Sequence, residues 1–169
     1  MSHTYTQNTV HLVFSTKDRS NLIPKEFKSR LCSYLAGICK QDGIFVHAID
    51  GMEDHIHLLI QIPATLALAK SVNTLKSNSS KWANDEGSPL AWQKGYAAFS
   101  VSVSNIPAVV RYIRNQESHH KKMTFETEFL ALLKKAQRGI RSEICLWVGV
   151  APTALVISFS CFPSPYGLG

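Results

Sequence analysis

The 169-residue sequence lacks several features that mark other classes of protein. None of its four cysteines forms a C-x-x-C pair, which argues against a zinc ribbon and a thioredoxin-type redox motif. Its beginning contains no basic segment followed by an apolar run, so it does not resemble a secretory signal. No internal repeat and no coiled-coil heptad pattern is present. We therefore expect a reduced, cytoplasmic protein built mainly as one domain.

Charged residues are also scarce, at 18% of the chain, whereas the hydrophobic fraction of 45% is sufficient for an ordinary core. The formal net charge is +6, and the isoelectric point is near 9.2. A mild basic excess of this kind is compatible with a polyanionic partner but does not identify one.

The end of the sequence carries no charge, because residues 144–169 contain no Asp, Glu, Lys or Arg. This apolar run is long enough to suggest a membrane span. Pro152 and several hydroxyl residues weaken that interpretation, and nothing in the preceding sequence requires a membrane. We therefore predict a catalytic domain over residues 1–137 and an atypical apolar C-terminal tail over residues 138–169, with no membrane partner. The tail is either a docking segment or additional sequence beyond the usual end of the domain.

Hydrophobic periodicity and turn signals predict alternating strands and helices. In chain order the predicted elements are strand 9–15, helix 24–40, strand 44–49, strand 55–62, helix 64–82, strand 96–103, helix 104–122 and a short helix after Thr124. The turn signal Asp50-Gly51 predicts that the second and third strands form an antiparallel hairpin. The order β-α-β-β-α-β predicts an α+β fold, a ferredoxin-like antiparallel sheet with helices packed on one face, plus a C-terminal helix.

Two histidines, His55 and His57, are separated by one residue on the third predicted strand. Side chains at positions i and i+2 of a strand point to the same face, so both imidazoles can reach one ion, while Ile56 points into the core. Imidazole is a good ligand for zinc and manganese, and magnesium is accepted where a phosphate supplies further oxygens. Two histidines on a solvated strand face without a metal explain the same pattern. The H-x-H spacing alone therefore leaves both interpretations open.

Tyr112 and Gln116 are four residues apart in the predicted helix 104–122, and so they lie on one helical face. A tyrosine hydroxyl is a weak nucleophile at neutral pH because its pKa is near 10. A divalent cation that polarises a phosphate compensates for this weakness, and Gln116 offers a neutral oxygen ligand. The alternative is an amphipathic helix in which Tyr112 packs beside Val109 and Ile113.

Basic residues cluster at the end of the same helix. They are Arg111, Arg114, His119, His120, Lys121 and Lys122, with Glu117 opposing them. Such side chains contact phosphates in nucleic-acid-binding proteins, although cations in a last helical turn also complement the helix dipole. A second set combines cations with aromatic rings that stack on bases: Lys70, Lys76, Lys81 and Lys94, with Trp82 and Trp92. Neither set is specific by itself.

Four segments occur in order and at fitting distances: GMEDHIHLLIQIP, LKSNSSKW, WQKGYAAFSVS and YIRNQESHHKKMTFETEF. Over about residues 3–137, they resemble the small tyrosine transposases of insertion sequences, the single-strand HUH transposases of the insertion sequence 200/605 group. Four collinear segments are far more specific than an H-x-H pair or a helical tyrosine alone.

The resemblance implies roles for four residues. His55 and His57 match the histidines of the metal motif, and Gln116 matches the polar ligand that completes the binding of a divalent metal ion, Mg²⁺ or Mn²⁺. Tyr112 matches the tyrosine that attacks a DNA phosphate, becomes linked to the 5′ end and leaves a free 3′ hydroxyl. Rejoining is the reverse attack, so no nucleotide cofactor is needed.

The resemblance also implies the partners: single-stranded DNA, DNA hairpins at the ends of the element, and a second copy of the chain. Each active site of the homodimer would join the histidines of one subunit to the tyrosine helix of the other. Pairing of exposed sheet edges is one physical route to a dimer. DNA contacts would come from Arg111, Arg114, Lys121, Lys122, Lys76 and Lys81. The apolar tail departs from the family, whose members usually end soon after the last helix in a short polar segment.

Two other functions fit the same residues. One is a non-cleaving DNA hairpin-binding protein derived from such a transposase, which would use the basic helix and the tryptophans alone. The other is a histidine metallohydrolase, in which water rather than Tyr112 attacks and no covalent intermediate forms. The presence of all four proposed chemical residues argues for the transposase.

Overall fold

The structure, a computed structural model, describes residues 5–135. Four antiparallel strands form one sheet in the order β2-β3-β1-β4. The strands are β1 (Asn8–Ser15), β2 (Phe45–Gly51), β3 (His55–Ile62) and β4 (Ala97–Ser100). The helices are α1 (Lys25–Gln41), α2 (Leu68–Asp85), α3 (Ile106–Arg114), α4 (Gln116–His120) and α5 (Phe125–Lys135). This element order confirms the predicted ferredoxin-like α+β fold.

The main core lies between one face of the sheet and helices α1 and α2. Alternate residues of the two central strands, including Leu12 and Phe14 of β1 and Ile56 and Leu58 of β3, are fully buried there. Successive side chains of a strand point to opposite faces, so the residues between them, such as His55 and His57, necessarily face the other side. The position of Ile56 in the core confirms the predicted orientation of the H-x-H motif.

The second face of the sheet is covered by α3, α4 and α5. Ile113 of α3 packs on Leu59 of β3, and Phe125 and Phe129 of α5 pack on Val13 of β1. These two small apolar clusters lie on either side of the histidines. The polar residues of the strands are therefore enclosed between the sheet and a second helical layer.

The predicted helix 104–122 is interrupted, and this is the main difference from the sequence-based prediction. A short 3-10 turn (Val103–Asn105) precedes α3, and Asn115 separates α3 from α4 with φ −105° and ψ 22°. Asparagine side chains compete for backbone hydrogen bonds, which makes this residue a common site of helix termination. Other boundaries shift by a few residues: α2 begins at Leu68 rather than at residue 64, and β4 is limited to Ala97–Ser100.

Gly51 at the end of β2 is required by a close approach of two backbone segments. A Cβ atom at this position would lie 2.2 Å from the carbonyl oxygen of His55 and 2.9 Å from the Cα atom of Ile56. We predict that Gly51→Ala lowers the free energy of unfolding by about 1–3 kcal/mol, because the strands must separate to accept the methyl group. Denaturant unfolding of the variant measures this loss.

Gly37 provides the matched control for this substitution. It lies inside α1, and a Cβ atom there would have no neighbour within 4 Å. Because alanine is the better helix former, Gly37→Ala should raise the free energy of unfolding by about 0.5–1 kcal/mol. Equal stability of the two variants would contradict the proposed contact at Gly51.

Two cysteines are described, and both behave as packing residues. Cys39 is buried in the main core and Cys32 packs against its edge. Burial raises the pKa of each thiol to about 11. The predicted tail, residues 138–169, lies outside the described residues. No helix among residues 5–135 is long and apolar enough to cross a membrane.

Candidate active site

The two histidines of β3 present matching nitrogen atoms to one point above the sheet. His55 and His57 are 1% and 0% exposed, and their ring centroids are 5.0 Å apart. The Nε2 atoms of both rings are buried without a hydrogen-bond partner among the described residues. Unpaired buried nitrogens are rare in folded proteins, because the lost hydration is not replaced. This arrangement is typical of two imidazoles that bind one common ligand.

The other ring nitrogen of each histidine is held by a neighbour. His55 Nδ1 lies 2.7 Å from Asp54 Oδ1, and His57 Nδ1 lies 3.0 Å from His11 Nε2. Metal-binding histidines characteristically engage their second ring nitrogen in this way, which fixes the ring orientation. The sequence-based prediction identified neither Asp54 nor His11.

Asp54 is itself anchored by Arg19, which donates to its Oδ2 atom at 2.8 Å. Burial opposes ionisation, but the hydrogen bond from His55 and the nearby Arg19 guanidinium hold the pKa of Asp54 at about 2. Asp18 and Arg19 adopt φ values of 53° and 55°, in the left-handed region that residues other than glycine rarely occupy. This turn brings the Arg19 guanidinium both to Asp54 and to Glu126 of α5.

Glu128 of α5 completes the cluster and was not predicted from the sequence. Its Oε2 atom lies 3.7 Å from His57 Nε2 and 3.9 Å from His55 Nε2. One ligand atom from each of His55, His57 and Glu128 falls within 4.8 Å of the others. Glu128 is only 2% exposed, and its Oε2 atom also lies 3.2 Å from His120 Nε2. Two imidazoles and a carboxylate fit a divalent metal ion.

A sequence signal for Glu128 exists in the periodicity of α5. Phe125, Phe129 and Leu132 follow one another at the i, i+4 and i+7 positions of an apolar stripe, and Glu128 occupies the i+3 position of the same stripe. An acidic residue on an apolar helical face indicates a buried carboxylate with a specific partner.

Tyr112 reaches the same cluster from α3. Its hydroxyl donates a hydrogen bond to Glu128 Oε1, and its ring lies edge-on to His57 with centroids 5.7 Å apart. Burial, the charge of Glu128 and the hydrogen bond to Glu128 all raise the pKa of the phenol. The predicted nucleophile is therefore a protonated phenol beside the paired imidazoles of its own chain.

Gln116 and His120 bind the same carboxylate from α4. The Gln116 amide donates to Glu128 Oε1 at 3.3 Å and its oxygen accepts from His120 Nε2 at 3.0 Å. His120 Nδ1 donates to the carbonyl oxygen of Met123. His119 Nε2 also lies near the carboxylate, 3.3 Å from Glu128 Oε1. The structure thus brings together all four residues predicted to carry the chemistry, with Gln116 connected to the histidines through Glu128.

The charges in this cluster are mutually compensating. Burial and the neighbouring His55 lower the pKa of His57 to about 4 in spite of Glu128, so the ring is neutral and available as a ligand. Burial opposes protonation of His120, but contacts with Glu128 outweigh it and raise the pKa of His120. The pKa of Glu128 is lowered by His120, His57 and Tyr112 against the effect of burial. The site therefore contains a carboxylate that pairs with an imidazolium.

The six predicted DNA-contacting residues differ in exposure and in the face of the sheet on which they lie. Four of them, Arg111, Arg114, Lys121 and Lys122, are exposed on or near α3 and α4, next to Tyr112 in the chain. Lys81 is exposed on α2, and this helix covers the opposite face of the sheet. Lys76 is half-buried, and its ammonium donates to the carbonyl oxygens of Gln93 and Gly95. These hydrogen bonds favour a structural role for Lys76.

The side chains of the two tryptophans pack mainly against other residues of the fold. Trp82 stacks between Phe27 and Tyr34, with centroid distances of 5.3 and 4.3 Å. Trp92 packs edge-on against Phe14, and its Nε1 atom donates to Ser79 Oγ. Both rings therefore already have packing partners, which argues against the predicted base-stacking surface.

A cleft of about 600 Å³ opens beside Tyr112, between β4, α3 and α5. Its lining combines apolar side chains with a few polar ones, among them His11, Phe99, Asn105 and Tyr112. The cleft therefore gives access from the surface to the side chain of Tyr112 and to the imidazole of His11, which is hydrogen-bonded to His57.

Comparison with known proteins identifies the family of the chain. Residues 4–116 match the family profile described as IS200-like transposase, and this range includes the paired histidines, Tyr112 and Gln116. The chain belongs to the IS200-like transposase family. The general function of the protein is therefore DNA transposition. The matched range ends before α5, so Glu128 lies outside the part of the chain that defines the family.

Two named relatives are similar over most of the chain. The transposase for insertion sequence element IS200 of Salmonella typhimurium is 25% identical over 129 residues, covering 72% of this chain and 84% of the relative. The ISDra2 transposase TnpA of Deinococcus radiodurans is 26% identical over 119 residues, covering 63% of this chain and 81% of the relative.

Two solved structures share the fold. A crystal structure described as a transposase from Deinococcus radiodurans superposes with a TM-score of 0.54 at 23% identity, covering 69% of this chain and 95% of that chain. A tyrosine transposase bound to a REP hairpin superposes with a TM-score of 0.55 at 13% identity, covering 71% and 73%. At these identities, the likeness concerns the fold.

Proposed function

We propose that this transposase cleaves and rejoins single-stranded DNA at the ends of an insertion sequence through a covalent 5′-phosphotyrosine intermediate on Tyr112. The observation that carries the proposal is the convergence of three groups on one buried carboxylate. The hydroxyl of Tyr112 and the unpaired Nε2 atoms of His55 and His57 all face Glu128. A nucleophile beside a group of residues that can bind a metal ion is suited to phosphoryl transfer.

The proposed reaction exchanges one phosphodiester bond for another. The Tyr112 oxygen forms a bond to phosphorus while the bond from phosphorus to the 3′ oxygen breaks, and the phenol proton ends on the released 3′ hydroxyl. Glu128, which already accepts the phenol hydrogen bond, lies where it can hold that proton in transit. The reverse attack by a 3′ hydroxyl restores the phenol, so bond energy is conserved.

A divalent metal ion, Mg²⁺ or Mn²⁺, would be held by His55 and His57, with Glu128 or Gln116 as the oxygen ligand. When bound, it supplies Lewis-acid stabilisation of the charge that develops on the phosphate. The residues present fit this role, because the Nε2 atoms of both histidines are buried without a hydrogen-bond partner among the described residues and face Glu128 Oε2. Asp54 and His11 keep the two rings oriented.

The proposed substrate enters through the cleft beside Tyr112, and the exposed cations Arg111 and Arg114 are close to Tyr112 in the chain. Binding of a DNA hairpin is supported by the structural neighbour that was solved with a REP hairpin. Because the backbone contacts are electrostatic, we expect affinity to fall steeply with salt concentration.

The experiment that tests this function uses labelled single-stranded DNA from the flanks of the gene, incubated with the protein in Mg²⁺ or Mn²⁺ and run on a denaturing gel. The proposed transposase gives a covalent protein–DNA band together with a free 3′-hydroxyl fragment. A metallohydrolase gives cleaved DNA without a protein-linked band, and a hairpin-binding protein gives neither. Either of those two outcomes would overturn the proposal.

We also propose that the chain acts as a homodimer with shared active sites. Within residues 5–135 the sheet ends at β2 on one side and at β4 on the other, and Phe45 on β2 is 61% exposed. In the single chain α3 packs on its own sheet, with Tyr112 and His57 5.7 Å apart between ring centroids. Exchange of identical helices between two subunits would recreate the same contacts.

Mixing two inactive variants tests the shared site. In an equal mixture of His55→Ala and Tyr112→Phe, half of the dimers are mixed, and each of these has one complete site if helices are exchanged. We predict that the mixture recovers about a quarter of the wild-type adduct. If sites are instead formed within one chain, the mixture stays as inactive as its components, which adduct yield on a denaturing gel reveals.

A further inference from the structure

His11 of β1 occupies a position that the sheet register determines. It pairs with Leu59 of β3, and His57 pairs with Val13, so His11 and His57 are diagonal neighbours on the same face. Their rings stack with centroids 5.2 Å apart and an interplanar angle of 23°. His11 is 3% exposed, so this contact is made away from bulk water.

The hydrogen bond between the two rings engages Nδ1 of His57 and leaves its Nε2 atom available. His11 Nε2 and His57 Nδ1 are 3.0 Å apart, whereas the nearest carboxylate oxygen, Glu128 Oε2, is 3.7 Å from His57 Nε2 and too far for a hydrogen bond. If His57 carries its proton on Nδ1 and donates it to His11, the lone pair of Nε2 faces the site. The opposite tautomer would place an N–H group there and block a metal ion.

We propose that His11 is a positioning residue that holds His57 in the Nδ1-protonated tautomer and thereby aims its Nε2 lone pair at the metal site. The inference rests on the proposed metal-binding role of His57. His11 Nε2 lies 3.0 Å from His57 Nδ1, so the His11 ring is placed to accept the hydrogen bond that this tautomer donates. His11 also lies edge-on to Tyr112, with ring centroids 5.9 Å apart, so that one side chain contacts both the metal ligand and the nucleophile.

Asp54 contacts Nδ1 of His55 as His11 contacts Nδ1 of His57. The comparison shows that the imidazole of His11 is the unusual partner of the two. Carboxylates and backbone carbonyls are the common partners of metal-binding histidines. In this site, one ligand is oriented by a carboxylate and the other by a neutral imidazole. A neutral acceptor adds no negative charge next to the position of the attacked phosphate, where a second carboxylate would repel it.

Two substitutions at His11 separate hydrogen bonding from packing. His11→Leu keeps an apolar volume but removes the acceptor, whereas His11→Gln places an amide oxygen near the position of Nε2. We expect Mn²⁺ affinity, measured by titration calorimetry on the full chain, to fall about 10–100-fold in His11→Leu and to be largely restored in His11→Gln. Thr9→Val is the matched control, because Thr9 is buried on the same face of β1 but contacts neither ligand histidine through a hydrogen bond within residues 5–135.

A second measurement is independent of metal binding and of the variants' stability. Nitrogen-15 NMR of the histidine rings in the metal-free wild-type protein should show the Nδ1–H tautomer for His57. A His57 ring protonated on Nε2, or equal Mn²⁺ affinities of wild type and His11→Leu, would overturn the positioning role and leave the proposed function intact. If wild type and His55→Ala bind Mn²⁺ equally weakly, the metal site of the proposed function fails instead, while the NMR result still decides the tautomer.

Discussion

Tyr112→Phe should abolish the covalent protein–DNA adduct, with a loss of at least about a thousandfold in its rate of formation. The substitution removes only the attacking oxygen, and the ring retains its edge-on contacts with His11 and His57. Loss of the hydrogen bond to Glu128 should lower the free energy of unfolding by about 1.5–3 kcal/mol. Adduct formation is measured as protein-linked label after denaturation.

The control for this variant is DNA binding, which should remain close to that of the wild type because no exposed cation is altered. Tyr96→Phe provides a matched substitution at a tyrosine that packs against the main core rather than at the site. It should form the adduct at the normal rate. An adduct formed by Tyr112→Phe would show that another residue is the nucleophile.

Replacing both His55 and His57 by alanine should have the second large effect, a fall of at least about a hundredfold in affinity for Mn²⁺ and loss of DNA cleavage. The two rings supply both nitrogen ligands of the candidate metal group, and Glu128 alone is a weak site for a divalent ion. Titration calorimetry gives the metal affinity directly.

His47→Ala is the matched control for the histidine variants. His47 lies on the neighbouring strand β2 at a break in register and contacts Phe45 rather than the cluster. Its removal should leave both metal affinity and cleavage unchanged. Equal metal affinity of the wild type and the double variant would contradict the proposed ligand set.

Part of the site could be predicted because the two histidines of β3 follow the alternation of side chains along a strand. The alternation along β3 places His55 and His57 on one face and Ile56 on the other, and this relation depends only on the period of a strand. Tyr112 and Gln116 were predicted to converge through helical spacing. They do converge, although Asn115 interrupts the helix between them, since both side chains contact Glu128.

The remaining residues of the site depend on tertiary contacts that no local pattern contains. The pairing of His11 with His57 results from the register between β1 and β3, and the contact of Arg19 with Asp54 requires a left-handed turn after β1. Glu128 lies in the last of the four recognised segments, but on α5 rather than on the helices that carry Tyr112 and Gln116. Its place on the apolar stripe of α5 indicates burial but does not identify its partners.

The central claim is that the phenol of Tyr112 attacks a DNA phosphate beside the paired imidazoles of β3. Mass spectrometry of the trapped adduct tests it most directly, because trypsin cleavage after Arg111 and Arg114 releases peptide 112–114 with its nucleotide attached. We predict a phosphodiester-linked nucleotide on Tyr112. The chain contains five tyrosines, and a nucleotide found on any other one, or cleaved DNA with every tyrosine unmodified, would contradict the account.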